Sequence, residues 1–211
     1  MTAPGLRGLG FKPNDLGINS VRPFVHVFNL AERGFKSYPA HGDTASMGMK
    51  DAASNDIDDL CEAYRIGGEC DWRVVCGRDH GLYVVDFPRD CDQVWAEKEY
   101  GVLPATWMVT RPNGGTMFWF RARSGYPDLK LGVPLLGSRA ELKSSAPVPG
   151  SIHCRSRERY VWVPGHAPGQ CDLAALPMRW LVDLPKVGIT ARPILRPEWH
   201  DRSGHAPARW Q

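Results

Sequence analysis

The chain has 211 residues, 43% hydrophobic and 23% charged, which describes one globular domain with enough apolar material for a core. Its 22 glycines and 18 prolines make it loop-rich without reaching a disordered composition, and no apolar run approaches the about 18 residues that cross a bilayer. The formal net charge of +3 allows a nucleic-acid partner without requiring one, although arginine outnumbers lysine 19 to 7 and suits bidentate phosphate contacts.

Residues 1–22 have little periodicity and read as an extended arm. They lack the apolar stretch of a signal peptide, so a cytoplasmic protein with no membrane partner is expected. FVHVFNLAER (24–33) reads as a short helix closed by Gly34, and FKSYPAHG as a strand and turn. SNDIDDLCEAYRI (54–66) is a helix with Ser54 or Asn55 as its cap, acids in its first turn and Ile57, Leu60, Cys61 and Tyr64 on one apolar face. Gly67-Gly68 ends it. WRVVCG (72–77) and GLYVVDF (81–87) are strands around the polar turn RDH. DCDQVWAEKEY (90–100) returns to helix, stopped by Gly101. ATWMVT (105–110) and TMFWF (116–120) flank RPNGG, the strongest hairpin signal in the chain. Further strands are expected near 133–136, 139–143 and 159–163, then a helix over 172–183 started or interrupted at Pro177.

This succession predicts an α+β (mixed α/β) domain over 23–185: a mixed sheet with a central glycine hairpin, covered by helices. A Pro/Arg-rich tail follows over 186–211. The six cysteines (Cys61, Cys70, Cys76, Cys91, Cys154, Cys171) contain no C-x-x-C pair. The combination Cys70, Cys76, His80 and Cys91 lacks a known zinc spacing, so buried free thiols are expected.

Three segments combine the residue types of a nucleotide site. GLYVVDFP delivers Asp86 at a strand end, LPATWMVTRPNGGTMFWF is the glycine hairpin, and GSRAELKSSAPVPGSIHCRSRERYVWVPG carries Glu141, a Pro-Gly-Ser turn, Tyr160 and Trp162. Two carboxylates facing one cleft could hold a divalent ion with substrate phosphates. A glycine turn lets backbone N–H groups approach phosphate.

These segments resemble the N-terminal primase–polymerase domain of phage and plasmid replication proteins, a branch of the archaeo-eukaryotic primase superfamily. LAERGFKSYP is similar to the family's opening helix and strand, and KDAASNDIDDLCEAY to its next helix. WRVVCGRDHGLYVVDF is similar to the strands leading to the acidic motif. LPATWMVTRPNGGTMFWF resembles L-P-x-T-x-x-V-x-T-x-x-G-G-x-H-x-x-F, and ELKSSAPVPGSIHCRSRERYVWV resembles the third-acid strand with P-P-S-x-H-x-x-G-x-x-Y-x-W. The resemblance runs from about residue 24 to 183. It implies nucleotidyl transfer, with three acids holding two Mg²⁺ or Mn²⁺ ions and a histidine contacting the triphosphate.

The chain departs from that pattern at its chemistry. Asp86 stands at the first acid position, but Pro88 replaces the second acid, Met117 replaces the histidine, and the third acid is Glu141. Neither proline nor methionine offers an oxygen ligand to Mg²⁺. Asp90 could replace the lost acid, but D-C-D-Q with Gln93 reads better as a helix capping box. Catalytic or metal roles therefore fall on Asp86 and Glu141, with an ion pair to Lys143 as Glu141's alternative. Asn113, Gly114, Gly115, Thr116, Lys143, Ser151 and His153 are the candidate nucleotide contacts, His153 having a turn role as its alternative. Arg155, Arg157 and Arg159 alternate, and on one strand face they would form either a phosphate track or a solvated edge. Trp107, Trp119 and Trp162 belong mostly to the core, an exposed one having stacking on a base as its alternative.

The functional expectation is a replication protein of a phage, plasmid or other mobile element, catalytically impaired and binding nucleic acid (DNA foremost) or a nucleoside triphosphate. The alternatives are an active primase/polymerase with a rebuilt metal site, or a protein-interaction inhibitor or accessory of replication. No G-x-x-x-x-G-K-[ST] loop is present, so the helicase domain often fused to this family is absent from the sequence: the chain works alone, works with a separate helicase or other replication protein, or is an excised domain. If Asp86, Met117 and Glu141 form one site, their strands must bring them to one cleft, the carboxylates within about 8 Å.

Overall fold

A computed structural model describes residues 20–40, 50–134 and 140–183. The arm before residue 20, the tail and the end of the 133–136 strand lie outside the described residues. The first helix, α1 (Pro23–Ala31), starts with proline at its first position, where the missing N–H is not needed. Gly34 turns the chain out of it at φ 84°. Strand β1 (Ser37–Ala40) follows, then α2 (Ile57–Gly67), β2 (Asp71–Val75), a 3₁₀ turn (Arg78–His80) and β3 (Leu82–Phe87). Helix α3 (Asp90–Tyr100) precedes the hairpin β4 (Trp107–Thr110) and β5 (Thr116–Arg121). The chain closes with β6 (Val133–Pro134), β7 (Glu141–Leu142), β8 (Ser145–Pro147), β9 (Val161–Trp162) and α4 (Met178–Asp183).

The α+β class stands, with the strands divided between two sheets rather than gathered in one mixed sheet. One has the order β1-β2-β8 and the other β6-β7-β3-β5-β4-β9, and every strand pair is antiparallel. Proline explains several borders. Pro39, Pro147 and Pro134 lie in β1, β8 and β6, each an edge strand, where a missing N–H costs no ladder bond. The glycine hairpin is central, as expected.

The runs at 72–77 and 81–87 meet only in the antiparallel bridge between Gly77 and Leu82 and otherwise part. Trp72–Val75 joins the small sheet and Leu82–Phe87 the large one, with Gly77 at φ 134° between them. A second passage runs alongside. The Lys143 N–H donates to the Val84 carbonyl (2.9 Å) in the large sheet, and the Cys76 N–H donates to the Ser144 carbonyl (3.1 Å) in the small one. The two sheets therefore share a corner next to Asp86.

Alternation along β3 assigns its faces. Leu82 and Val84 join Trp72, Val74, Trp107, Trp119 and the α1 residues Phe24 and Leu30 in one core between the sheets. Tyr83, Val85 and Phe87 join Ala96, Tyr100, Leu176 and Trp180 in a second core under α3 and α4. Trp107, Trp119 and Trp162 are all buried.

Helix boundaries correct three expectations. Asp56, not Ser54 or Asn55, caps α2, its carboxylate accepting from the N–H groups of Asp58 (2.8 Å) and Asp59 (3.2 Å). Ser54 stands one step back, its hydroxyl accepting from the Asp56 N–H. Asp90 is not a cap: extended Arg89 holds that position, and Asp90 is the exposed first helical residue. Buried Asp92 carries the first turn instead, bound in two contacts of 2.9 Å by Arg89, while Gln93 bonds Glu97. The last helix spans only 178–183, because Pro177 delays its start and the preceding residues bridge to β5 through Ala175. The cysteines stand outside any disulfide; Cys61 and Cys76 are buried as expected, whereas Cys91 and Cys154, on the outer surface of α3 and in a turn, are exposed. Among the described residues, no helix is long and apolar enough to cross a membrane.

Candidate functional site

Strand register brings the expected residues together. Asp86 pairs with Met117 on one side and with Glu141 on the other, so all three sit in one row across β5, β3 and β7. Directly opposed residues share a sheet face, here the face toward the small sheet. Met117 is buried among the apolar residues of that core. The Lys143 ammonium stands 3.8 Å from Asp86 Oδ2 and 3.2 Å from Glu141 Oε2. Even end to end, those contacts are shorter than the expected about 8 Å between carboxylates. The ion pair weighed as Glu141's alternative is thus formed, and Asp86 shares its cation.

Arg111 completes the cluster, with Nε 3.3 Å from Asp86 Oδ1. Sequence reasoning missed it. The signal was strand alternation: Arg111 lies two residues beyond Val109, which pairs with Met117, so it continues the Asp86 face. The contact is an ion pair by distance, but its N–H is not aligned on the oxygen. Oδ1 is left buried without a hydrogen bond. Asp86 is 7% exposed. Burial pushes its carboxyl above the ordinary value, Arg111 and Lys143 pull it back down, and Glu141 adds to the rise.

The hairpin tip closes over the end of β3. Gly114 and Gly115 both have positive φ, but for different surroundings. A Cβ on Gly114 would meet nothing within 4 Å, whereas one on Gly115 would lie 2.0 Å from the Phe87 carbonyl oxygen and 2.6 Å from the Pro88 carbonyl carbon. Gly115 is therefore the contact that lets the hairpin lie against Phe87-Pro88. Thr116 pairs with Phe87, and Asn113 reaches across to His153, its side-chain nitrogen 3.2 Å from Nε2. His153 is buried against Tyr160 and bonded through Nδ1 to Ser156.

Other expected contacts are placed differently. The Ser151 hydroxyl accepts from the Trp72 N–H (3.0 Å) and donates to the Trp72 carbonyl (3.1 Å), a clamp on β2 that uses its one proton. Arg155, Arg157 and Arg159 are exposed but share no strand face. Residues 154–156 are a turn, Arg157 has φ 62°, Arg159 donates to the Gly150 carbonyl, and β9 begins only at Val161. The local reason is the inward pull on His153 and Ser151, which curls the chain there instead of extending it.

The side chains present do not fit a pair of divalent ions. Pro88 and Met117 offer no oxygen, Lys143 fills the space between the two carboxylates, and Arg111 stands on the other oxygen of Asp86. Among the described residues, no three His, Cys, Asp or Glu side chains gather in metal-binding geometry. What the cluster can do is present two cations to an anion. Arg111 and Lys143 are each about one-fifth exposed, above two carboxylates that hold them in place.

No curated protein sequence is similar enough to match the chain. The family model described as bifunctional DNA primase/polymerase, N-terminal, matches residues 28–180, which includes Asp86, Arg111, Met117, Glu141, Lys143 and the hairpin, and the chain belongs to that family.

Proposed function

We propose that this member of the primase/polymerase family is a replication protein of a phage, plasmid or other mobile element that acts by holding nucleic acid or nucleotide, not by templated nucleotidyl transfer. The observation that carries this reading is the Lys143 ammonium between the carboxylates of Asp86 and Glu141. A lysine there neutralises the acids without an open coordination position, and it leaves N–H donors for phosphate oxygens. Arg111 adds a guanidinium with fork geometry for the same anion. Asn113, at the exposed hairpin tip beside His153 and two residues from Arg111, adds a neutral donor. The protein works in the cytoplasm, on DNA with a nucleoside triphosphate as second ligand.

Binding of a nucleoside triphosphate, followed by calorimetry in EDTA and in Mg²⁺, tests this. Affinity persists in EDTA, because Arg111 and Lys143 supply the positive charge, and Lys143→Ala weakens it about tenfold or more, the loss of one charge-assisted contact. Affinity that appears only with Mg²⁺ and survives Lys143→Ala contradicts it.

A further inference from the structure

The opposite end of the β3–β5 ladder carries a second cluster of charge. Leu82 pairs with Arg121 there, four residues from Asp86 along β3, about 13 Å at the rise of an extended strand. A cleft of about 930 Å³ opens at this end, between the C-terminal end of α1, the 3₁₀ turn, the end of β5 and the loop before α4. Its volume is that of a site for a nucleotide-sized ligand.

The lining is basic. Arg33 and Arg121 both face it, and Asp172 is the one acid on its wall. Both arginines are exposed, and neither has an ion-pair partner among the described residues; Arg33, just past α1, donates to the Asn29 carbonyl. His80 also lines the cleft, with Nδ1 buried and lacking a hydrogen-bond partner. Burial holds the His80 pKa below the ordinary value, and the nearby positive charges of Lys50 and Lys36 add to this against Asp79. Gly34 and Gly169 form parts of the wall at positive φ, and a Cβ on either would meet nothing within 4 Å, so this wall stands back from its surroundings and is open to a bulky anion.

We infer that this cleft is a second anion site, distinct from the Asp86 cluster, that binds phosphate esters through Arg33 and Arg121. Two forked guanidiniums with no carboxylate on either suit phosphate oxygens. The phosphate can belong to a nucleotide or to the backbone of a nucleic-acid strand.

The test uses the full chain carrying Arg111→Ala and Lys143→Ala, so that the Asp86 cluster is silent. Inorganic tripolyphosphate is titrated by calorimetry and a labelled single-stranded oligodeoxynucleotide by anisotropy, both at low salt. Adding Arg33→Ala and Arg121→Ala weakens tripolyphosphate binding at least about tenfold. Arg33 and Arg121 are exposed, so adding their substitutions leaves the fold of the parent unchanged, and circular dichroism of the parent and of the added variant verifies this. In the parent, tripolyphosphate also shifts the His80 ring resonances in NMR spectra. If the oligonucleotide loses affinity too, and the salt slope flattens by about 1.4 for two phosphate contacts on a single strand, the source is a nucleic-acid backbone. If only tripolyphosphate loses affinity, the source is a nucleotide. Equal binding of both probes with and without the two arginines overturns the inference, as does the absence of any tripolyphosphate binding in the parent.

Discussion

At the residue scale the informative group is Asp86, a carboxylate 7% exposed between two cations. Burial outweighs the cations, so its folded pKa lies above the ordinary 3.8. The folded state then holds the proton more tightly than the unfolded chain does. The stability this lends is complete below the ordinary carboxylate range and is lost as pH rises through the raised value. Wild-type urea midpoints should therefore fall relative to those of Asp86→Asn over that window; a rise would contradict the sign. Lys143→Met removes an opposing positive charge, so an NMR titration should find the Asp86 midpoint higher still. Asp86 and Glu141 were legible because strand ends and acidic motifs are local features. Arg111 was not read, because its relation to Asp86 needs the β4–β5 and β3–β5 registers together.

At the element scale the hairpin and the caps carry the contrasts. Gly114 and Gly115 look alike in the sequence, and only packing separates them. Gly114→Ala should cost about 1–2 kcal/mol, the strain of a left-handed conformation in open space. Gly115→Ala adds a collision with the Phe87 and Pro88 backbone and should cost clearly more, lowering the denaturation midpoint further. Equal losses would mean that the hairpin does not lie on the end of β3. For α2, Asp56→Ala should cost about 1 kcal/mol and Asn55→Ala close to nothing, since Asp56 alone bonds the first-turn N–H groups. Sequence reading found this helix and displaced its cap by one or two residues, because Ser54, Asn55 and Asp56 are all capping residue types. The arginine track failed for a different reason: alternation at 155, 157 and 159 mimics a strand, whereas bonds from His153 and Ser156 hold the segment in a turn.

At the scale of the whole molecule, the sequence carried the α+β class and the central hairpin, because alternation and the Asn-Gly-Gly turn are local. It did not carry the division into two sheets. That depends on β2 and β3 separating at Gly77 and on residues 141–147 crossing between the sheets, pairings that join segments 55 to 74 residues apart. The crossing places Lys143 beside Asp86 and fixes the chemistry of the site. If that cluster binds without polymerising, the loss traces to ligand count, and restoring Pro88→Asp with Met117→His should raise any residual synthesis. The most direct measurement is template-dependent primer extension by the wild-type chain in Mg²⁺ and in Mn²⁺. The account predicts no extension above background with either ion. Robust extension that Asp86→Ala abolishes would contradict it, and would mean that an acid outside the Asp86 row holds the second ligand position.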